Sequence, residues 1–212
     1  MRKTMLLTLA GALALSLALP ASANGGGAGG TKSKRAYVFL GSVTAMSMDA
    51  DPATPDTLTF SMLKGNKHAR RYVEAFPGDV TVGLTEYTHL YGGGYSAAHD
   101  FRVGDGVKVM ARKMADGTLV AKKARIVPLV FLGTLVSLDA TTATLTVSNA
   151  NFVGWKYLES HPGSPVSFAV TATTHLGEGE DAPVVGAPVM VKARPTADGT
   201  GLEALKIAGA SG

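Results

Sequence analysis

Six basic side chains crowd into one short stretch of this chain: Lys108, Arg112, Lys113, Lys122, Lys123 and Arg125. An Asp116–Gly117 turn signal divides them into two groups. If the flanking runs are strands, alternation puts Lys108 and Arg112 on one face, and Lys123 and Arg125 on one face of the neighbouring strand. With Val107, Val109 and Ala111 pointing inward, the basic residues point outward and make a compact positive surface. Such a surface attracts anions. Lys108, Arg112, Lys123 and Arg125 are therefore the expected binding site, with an anionic envelope polymer or an acidic protein as partner. The alternative is an ordinary solvated strand face.

Other chemistry finds little support. The chain has no Cys, which excludes a thiol nucleophile and a disulfide. Gly94, Tyr95 and Ser96 lack the second Gly of a nucleophile elbow, and no H-E-x-x-H occurs. Gly92 to Gly94 lack the spacing and the Lys of a phosphate loop. Glu74 and Glu159 recur between the two halves, but on a segment with helical spacing where solvated carboxylates are expected. Five His are present, His68, His89, His99, His161 and His175, with no pair at i, i+2 or i, i+4. No catalytic activity, cofactor or metal site is expected from this inventory. One alternative stays open: a periplasmic ligand or metal-ion carrier using the loop 90–103, where His99 and Asp100 could join His89 and Glu86. A nucleic-acid partner is not expected, because the single Trp155 has Arg70 at its equivalent position in the other copy, so the halves share no stacking platform, and because export argues against it.

The elements that would position these residues occur twice. Val38–Val43 (VFLGSV) returns as Val130–Leu135 (VFLGTL), and Thr57–Ser61 (TLTFS) as Thr144–Ser148 (TLTVS). The segment from Asn66 returns from Asn151 with Asn, Tyr, Glu, Pro and Gly in register, and Thr85–Leu90 returns as Thr171–Leu176. Val103–Thr118 matches Val185–Thr200 at ten of sixteen positions. Five matches in one order mark a tandem duplication. They place one copy at 36–128 and the other at 129–210, joined near Pro128.

Within the first copy, Tyr37–Met48 reads as one strand and the alternation of Leu58, Phe60 and Met62 as a second. Val80, Val82 and Leu84 give a third, Val107, Val109 and Ala111 a fourth, and Leu119–Val127 a fifth. Lys67–Phe76 carries Ala69, Tyr72, Val73 and Phe76 at helical spacing and ends at Pro77–Gly78. The expectation is a mainly β chain of two small five-stranded, barrel-like (OB-like) domains in tandem, each with one short helix. Closure would remove exposed strand edges, and an open sandwich is the alternative.

The same residues carry a family resemblance. Gly41, the Thr85-x-x-Thr88-x-Leu90 segment, Val103–Gly104, Val107 and Val109, the Asp116–Gly117 hairpin and Ile126 follow one another in a characteristic order. Gly133, Thr171, Thr174, Val185, Gly186, Val189, Val191, Asp198, Gly199 and Ile207 repeat it. The pattern resembles the bacterial domain of unknown function numbered 5666. The resemblance implies a small OB-like barrel in exported proteins, often in tandem, and implies no activity.

The N-terminus points to export as well. Arg2 and Lys3 precede an apolar run from Met5 to Leu19, Pro20 breaks it, and Ala21, Ser22 and Ala23 supply small residues for cleavage. Residues 1–23 read as a signal peptide and 24–35 as a flexible Gly-rich linker. The run is shorter than the ~20 residues of a spanning helix, so no transmembrane segment is expected in the mature chain. The expected location is periplasmic or extracellular. Charge divides unevenly: residues 36–128 hold 11 basic and 9 acidic side chains, residues 129–212 only 4 and 7.

Overall fold

The computed structural model describes residues 36–47, 56–91 and 101–210, so the expected signal peptide and Gly-rich linker lie outside the described residues. Two closed barrels follow one another. In the first, β1 (Tyr37–Ser47) pairs antiparallel with β2 (Thr57–Gly65) and with β5 (Gly106–Lys113). β3 (Val80–Gly83) continues from β2, and β6 (Leu119–Ile126) forms a hairpin with β5. A parallel contact between Gly83 and Val120 then joins β3 to β6 and closes the barrel. The second barrel repeats this with β7 (Leu129–Leu138), β8 (Thr142–Ala150), β9 (Val166–Ala169), β11 (Pro188–Pro195) and β12 (Leu202–Gly209), closed by Ala169 against Glu203. The expected mainly β, OB-like architecture is present in both copies.

Each barrel also has one strand that periodicity does not reveal. β4 (His89–Tyr91) and β10 (His175–Leu176) lie parallel to β6 and β12. They are too short for alternation to register, and the repeated Thr-x-x-Thr segment holds them. Thr88 Oγ1 accepts from the Thr85 N–H at 2.9 Å and donates to the Ala121 carbonyl on β6 at 2.8 Å. Thr174 does the same with Thr171 and with Ala204 on β12.

The inward residues form one core per barrel, around Phe39, Leu58, Phe60 and Val109 in the first and Phe131, Leu145, Phe168 and Val191 in the second. The core rings cross at similar angles, with Phe39 on Phe60 and Phe131 on Phe168 both at 5.4 Å. Gly41 and Gly133 sit where β1 and β7 cross the next strand so closely that a Cβ would overlap the Ser61 or Thr146 carbonyl. This accounts for Gly in the repeated F-L-G motif.

The short helices are where expected: α1 (Lys67–Ala75) and α2 (Phe152–Ser160). Each is started by an Asn that has two jobs. Asn66 accepts from the Ala69 N–H and donates to the Ala36 carbonyl; Asn151 accepts from Gly154 and donates to Pro128. Each cap thus ties its helix to the chain entering its barrel. Glu74 and Glu159 are exposed, and Glu159 pairs with Lys156 one turn back. No helix of the described residues is long and apolar enough to cross a membrane.

Only two residues separate β6 from β7, and the barrels are in contact. Leu40, Leu63 and Val127 of the first pack against the core of the second. Lys64 lies over the Phe152 ring on α2, 5.6 Å from its centroid.

Candidate functional site: a cationic strand face

Pairing of β4, β6 and β5 sets the site in rows. Tyr91 is level with Arg125, and Arg125 lies directly across from Lys108. In the next row His89 is level with Lys123, which faces Met110. Arg112 faces Val120 in a third. Between the second and third rows the ladder slips by one residue, and Lys122 is the extra one. A bulge of this kind leaves its residue outside the alternation, so Lys122 and Lys123 are consecutive and both exposed. Arg125 and Lys108 are exposed too, whereas Val107, Val109, Ala111 and Ala124 are buried. All four expected site residues, Lys108, Arg112, Lys123 and Arg125, share this outer face.

The surface is hollowed in two adjoining places. One hollow of about 350 Å³ is walled by Tyr91, Lys108, Lys123 and Arg125, with Met110 among them. The other, about 450 Å³, is lined by Tyr87, His89, Arg112, Lys122 and Lys123, with Thr85 at its rim. Lys123 belongs to both. Among the described residues no ion pair neutralises Lys108, Arg112, Lys122, Lys123 or Arg125. Lys108 directly opposite Arg125 is a like-charge cross-strand pair, which destabilises a sheet by roughly 0.2–1 kcal/mol. Tyr87 was not among the expected site residues, while His89 and the loop 90–103 that holds Tyr91 were expected only in the alternative carrier site. Their signal was the Thr-x-x-Thr segment, whose role in docking β4 on β6 becomes visible only with the sheet. A hydrogen bond to Glu86, with that carboxylate's charge, raises the fully exposed Tyr87 hydroxyl above its usual range.

The second copy does not reproduce the face. Its hairpin turn, Asp198–Gly201, is one residue longer, so Ala124 corresponds to Ile207 and Ile126 to Gly209. This corrects the simple pairing of Ile126 with Ile207. Tyr91, Arg125 and Lys108 are replaced by Gly177, Ala208 and Met190. A Cβ at Gly177 would overlap the Asp181 carbonyl, because the Gly179–Asp181 turn lies over that position.

Arg194, the counterpart of Arg112, is used differently. It is 3% exposed, and its Nε and Nη2 donate side-on to the two carboxylate oxygens of Asp105, at 3.2 and 2.7 Å. Asp105 belongs to the first barrel, is fully buried, and also accepts from the Arg102 N–H at 2.8 Å. Burial pushes this carboxyl above its usual range; Arg194 and the Arg102 N–H pull it back. Arg102 itself donates to Glu203, at 3.0 Å, and Glu203 is the cross-strand neighbour of Arg194. The sequence reading missed this pair. Its trace was a departure inside the best-matched segment, where Asp105 stands against Ala187.

Metal chemistry gains no support from the remaining candidates. Among the described residues no three His, Cys, Asp or Glu side chains converge as ligands. His161 stacks on Tyr157 at 4.2 Å and His68 lies 6.0 Å from Tyr37, both as packing partners. His99, Asp100 and most of the loop 90–103 lie outside the described residues.

Comparison with known proteins agrees with the duplication. A family profile described as Domain of unknown function (DUF5666) matches residues 70–125 and again 133–208. No curated protein matches the chain. Among solved structures, one titled "drosophila Unr CSD456" aligns at 14% identity with a TM-score of 0.27, over 82% of this chain and 61% of that one. The chain therefore spans less than two thirds of that structure's length.

Proposed function

Because the chain belongs to the DUF5666 family, whose function is unknown, its role must be read from its own surface; we propose that it is an exported, non-catalytic binding module. Its first barrel takes an anionic partner of the cell envelope on the outer face of β4, β5 and β6. The observation that carries this reading is the row Tyr91, Arg125, Lys108. Two cations face each other there without a counter-ion among the described residues, at some cost to the sheet, beside an exposed ring. An anion arriving there would relieve that repulsion. The second barrel supports the first through the Asp105–Arg194 contact and the shared packing of Leu40, Leu63 and Val127. Export is supported by the charged, apolar and small-residue order of residues 1–23. The absence of a nucleic-acid partner belongs to the same reading and follows from export alone, since Tyr87, Tyr91 and His89 among these cations are rings on which a base could stack.

The test compares the native protein with a variant carrying Lys108→Glu, Arg112→Glu, Lys123→Glu and Arg125→Glu. Binding to polygalacturonate and to phosphatidylglycerol vesicles is measured across salt concentration. Native binding that weakens with salt and disappears in the variant is the expected result. Equal binding by both proteins, or none by either, would return the face to the status of a solvated surface.

A further inference from the structure

The chain contains an occupied example of the surface that its first barrel leaves without an ion-pair partner. On the second barrel, the cross-strand pair Arg194 and Glu203 receives the segment Phe101–Gly106 of the first: Asp105 enters the fork of Arg194 and Arg102 reaches Glu203. At the equivalent place on the first barrel stands the pair Arg112 and Val120, in the same strands and the same register. We propose that the Arg112 hollow is a docking site for an acidic loop of a partner protein, entered as Asp105 enters Arg194. The inference rests on the anion-binding reading of this face and narrows its occupant to a protein carboxylate.

The differences between the two places define the partner. Val120 in place of Glu203 removes the acceptor for an incoming Arg, so the loop keeps its acid and needs no cation. Lys122 takes the bulge position held by Leu205, and Lys123 stands beside it, so additional carboxylates are favoured. A second copy of this chain cannot dock through the same segment. Its Asp105 is fully buried in its own inter-barrel contact, and the matching position of its second barrel is Ala187. The guanidinium also argues for a single, well-placed carboxylate over a diffuse polyanion. Arg presents a planar fork that matches one carboxylate in two bonds, while a uniform polymer is held as well by Lys. A hollow of about 450 Å³ accommodates a few residues of a loop.

The experiment titrates the full chain, labelled for NMR, with three peptides: Val-Gly-Asp-Gly-Val, its Asn counterpart, and Phe-Arg-Val-Gly-Asp-Gly-Val. These copy the segment seen docked on Arg194. The Asp peptide should shift the Arg112 side-chain N–H saturably at about 1 mM or below, and the Asn peptide should not. Arg112→Lys keeps the charge but removes the fork, and should weaken the Asp peptide about tenfold. Val120→Glu recreates the missing acceptor and should make the Arg-containing peptide the tighter of the two Asp peptides. Peptide binding that ignores Arg112→Lys, or no binding of the Asp peptide, overturns the inference. If polygalacturonate still binds through Lys108 and Arg125 in that case, the proposed function survives without it. If polygalacturonate, vesicles and peptide all fail to bind, both fall.

Discussion

Arg112 and Arg194 descend from one position, stand in equivalent strands at the same register, and have opposite fates. Arg194 is buried against Asp105; Arg112 is half-buried at the edge of a hollow with no ion-pair partner among the described residues. On the second barrel the outer face of β11 and β12 receives a segment of the first, and the equivalent face of β5 and β6 is the one proposed above for a partner. Duplication gave the chain two such faces and one tether, so one face could be consumed in holding the copies together. The other was left to collect charge, and Lys108, Lys122 and Arg125 stand where the second copy has Met190, Leu205 and Ala208.

The sharpest way to break this comparison is to remove both arginines in turn. Arg194→Met leaves Asp105 buried without its main partner and should cost about 3–5 kcal/mol in denaturant unfolding. Arg112→Met should change stability by no more than about 0.5 kcal/mol. Replacing the pair together, Asp105→Leu with Arg194→Met, should recover most of the loss, because two desolvated charges disappear at once. Equal losses at the two arginines would mean that the faces are not used differently.

A smaller effect would sharpen the account of the cationic row. Lys108→Glu turns the like-charge pair with Arg125 into an attractive one, so the folded protein should gain roughly 0.2–1 kcal/mol. The same variant should bind polygalacturonate more weakly. Stability and binding moving in opposite directions is the signature of a face kept charged for a partner, and parallel losses would contradict it.

The smallest effect concerns the hairpin turns shared by both copies. Asp198 accepts from the Thr200 N–H and from the hydroxyls of Thr196 and Thr200, which hold its carboxyl down at about 2. Asp116 is lowered in the same direction by Thr118. A carboxylate with a depressed folded-state value contributes stability above its unfolded value, near pH 4, and loses it as pH falls toward 2. Asp198→Asn should therefore flatten the acid limb of the stability curve between those values, more than Asp116→Asn does. Matching acid limbs for the native and Asp198→Asn proteins would remove the turn from the account.

The duplication was legible because copied turns and caps retain their residues. Asp116–Gly117, Asn66 and Thr88 each perform a bond that few other side chains can make, and each recurs. That Lys108, Arg112, Lys123 and Arg125 share an outer face was legible because side chains alternate along a strand on either side of a bulge. Other features escaped for physical reasons. β4 has three residues, fewer than a periodicity needs, and exists because Thr88 fastens it to β6. The bulge at Lys122 leaves no mark in composition. The Asp105–Arg194 pair joins residues 89 apart in the chain whose counterparts, Ala187 and Arg112, do not pair with each other. A repeat reveals what the copies share, and this contact lies in what they do not.

The two-residue junction Val127–Pro128 has a consequence for how that contact can be built. Because β6 ends at Ile126 and β7 begins at Leu129, each barrel meets the other at an effective concentration set by the tether rather than by encounter. A fully desolvated ion pair adds little net adhesion, since the cost of stripping water offsets the attraction, which is why a single carboxylate docking on the half-exposed Arg112 is expected to hold at only about 1 mM. Between tethered neighbours adhesion is already supplied, and the pair is released for another task. Its bonds are directional where the apolar contacts of Leu40, Leu63 and Val127 are not: the fork of Arg194 meets the Asp105 carboxylate at one angle, much as a key fixes the angle of a wheel already mounted on its shaft.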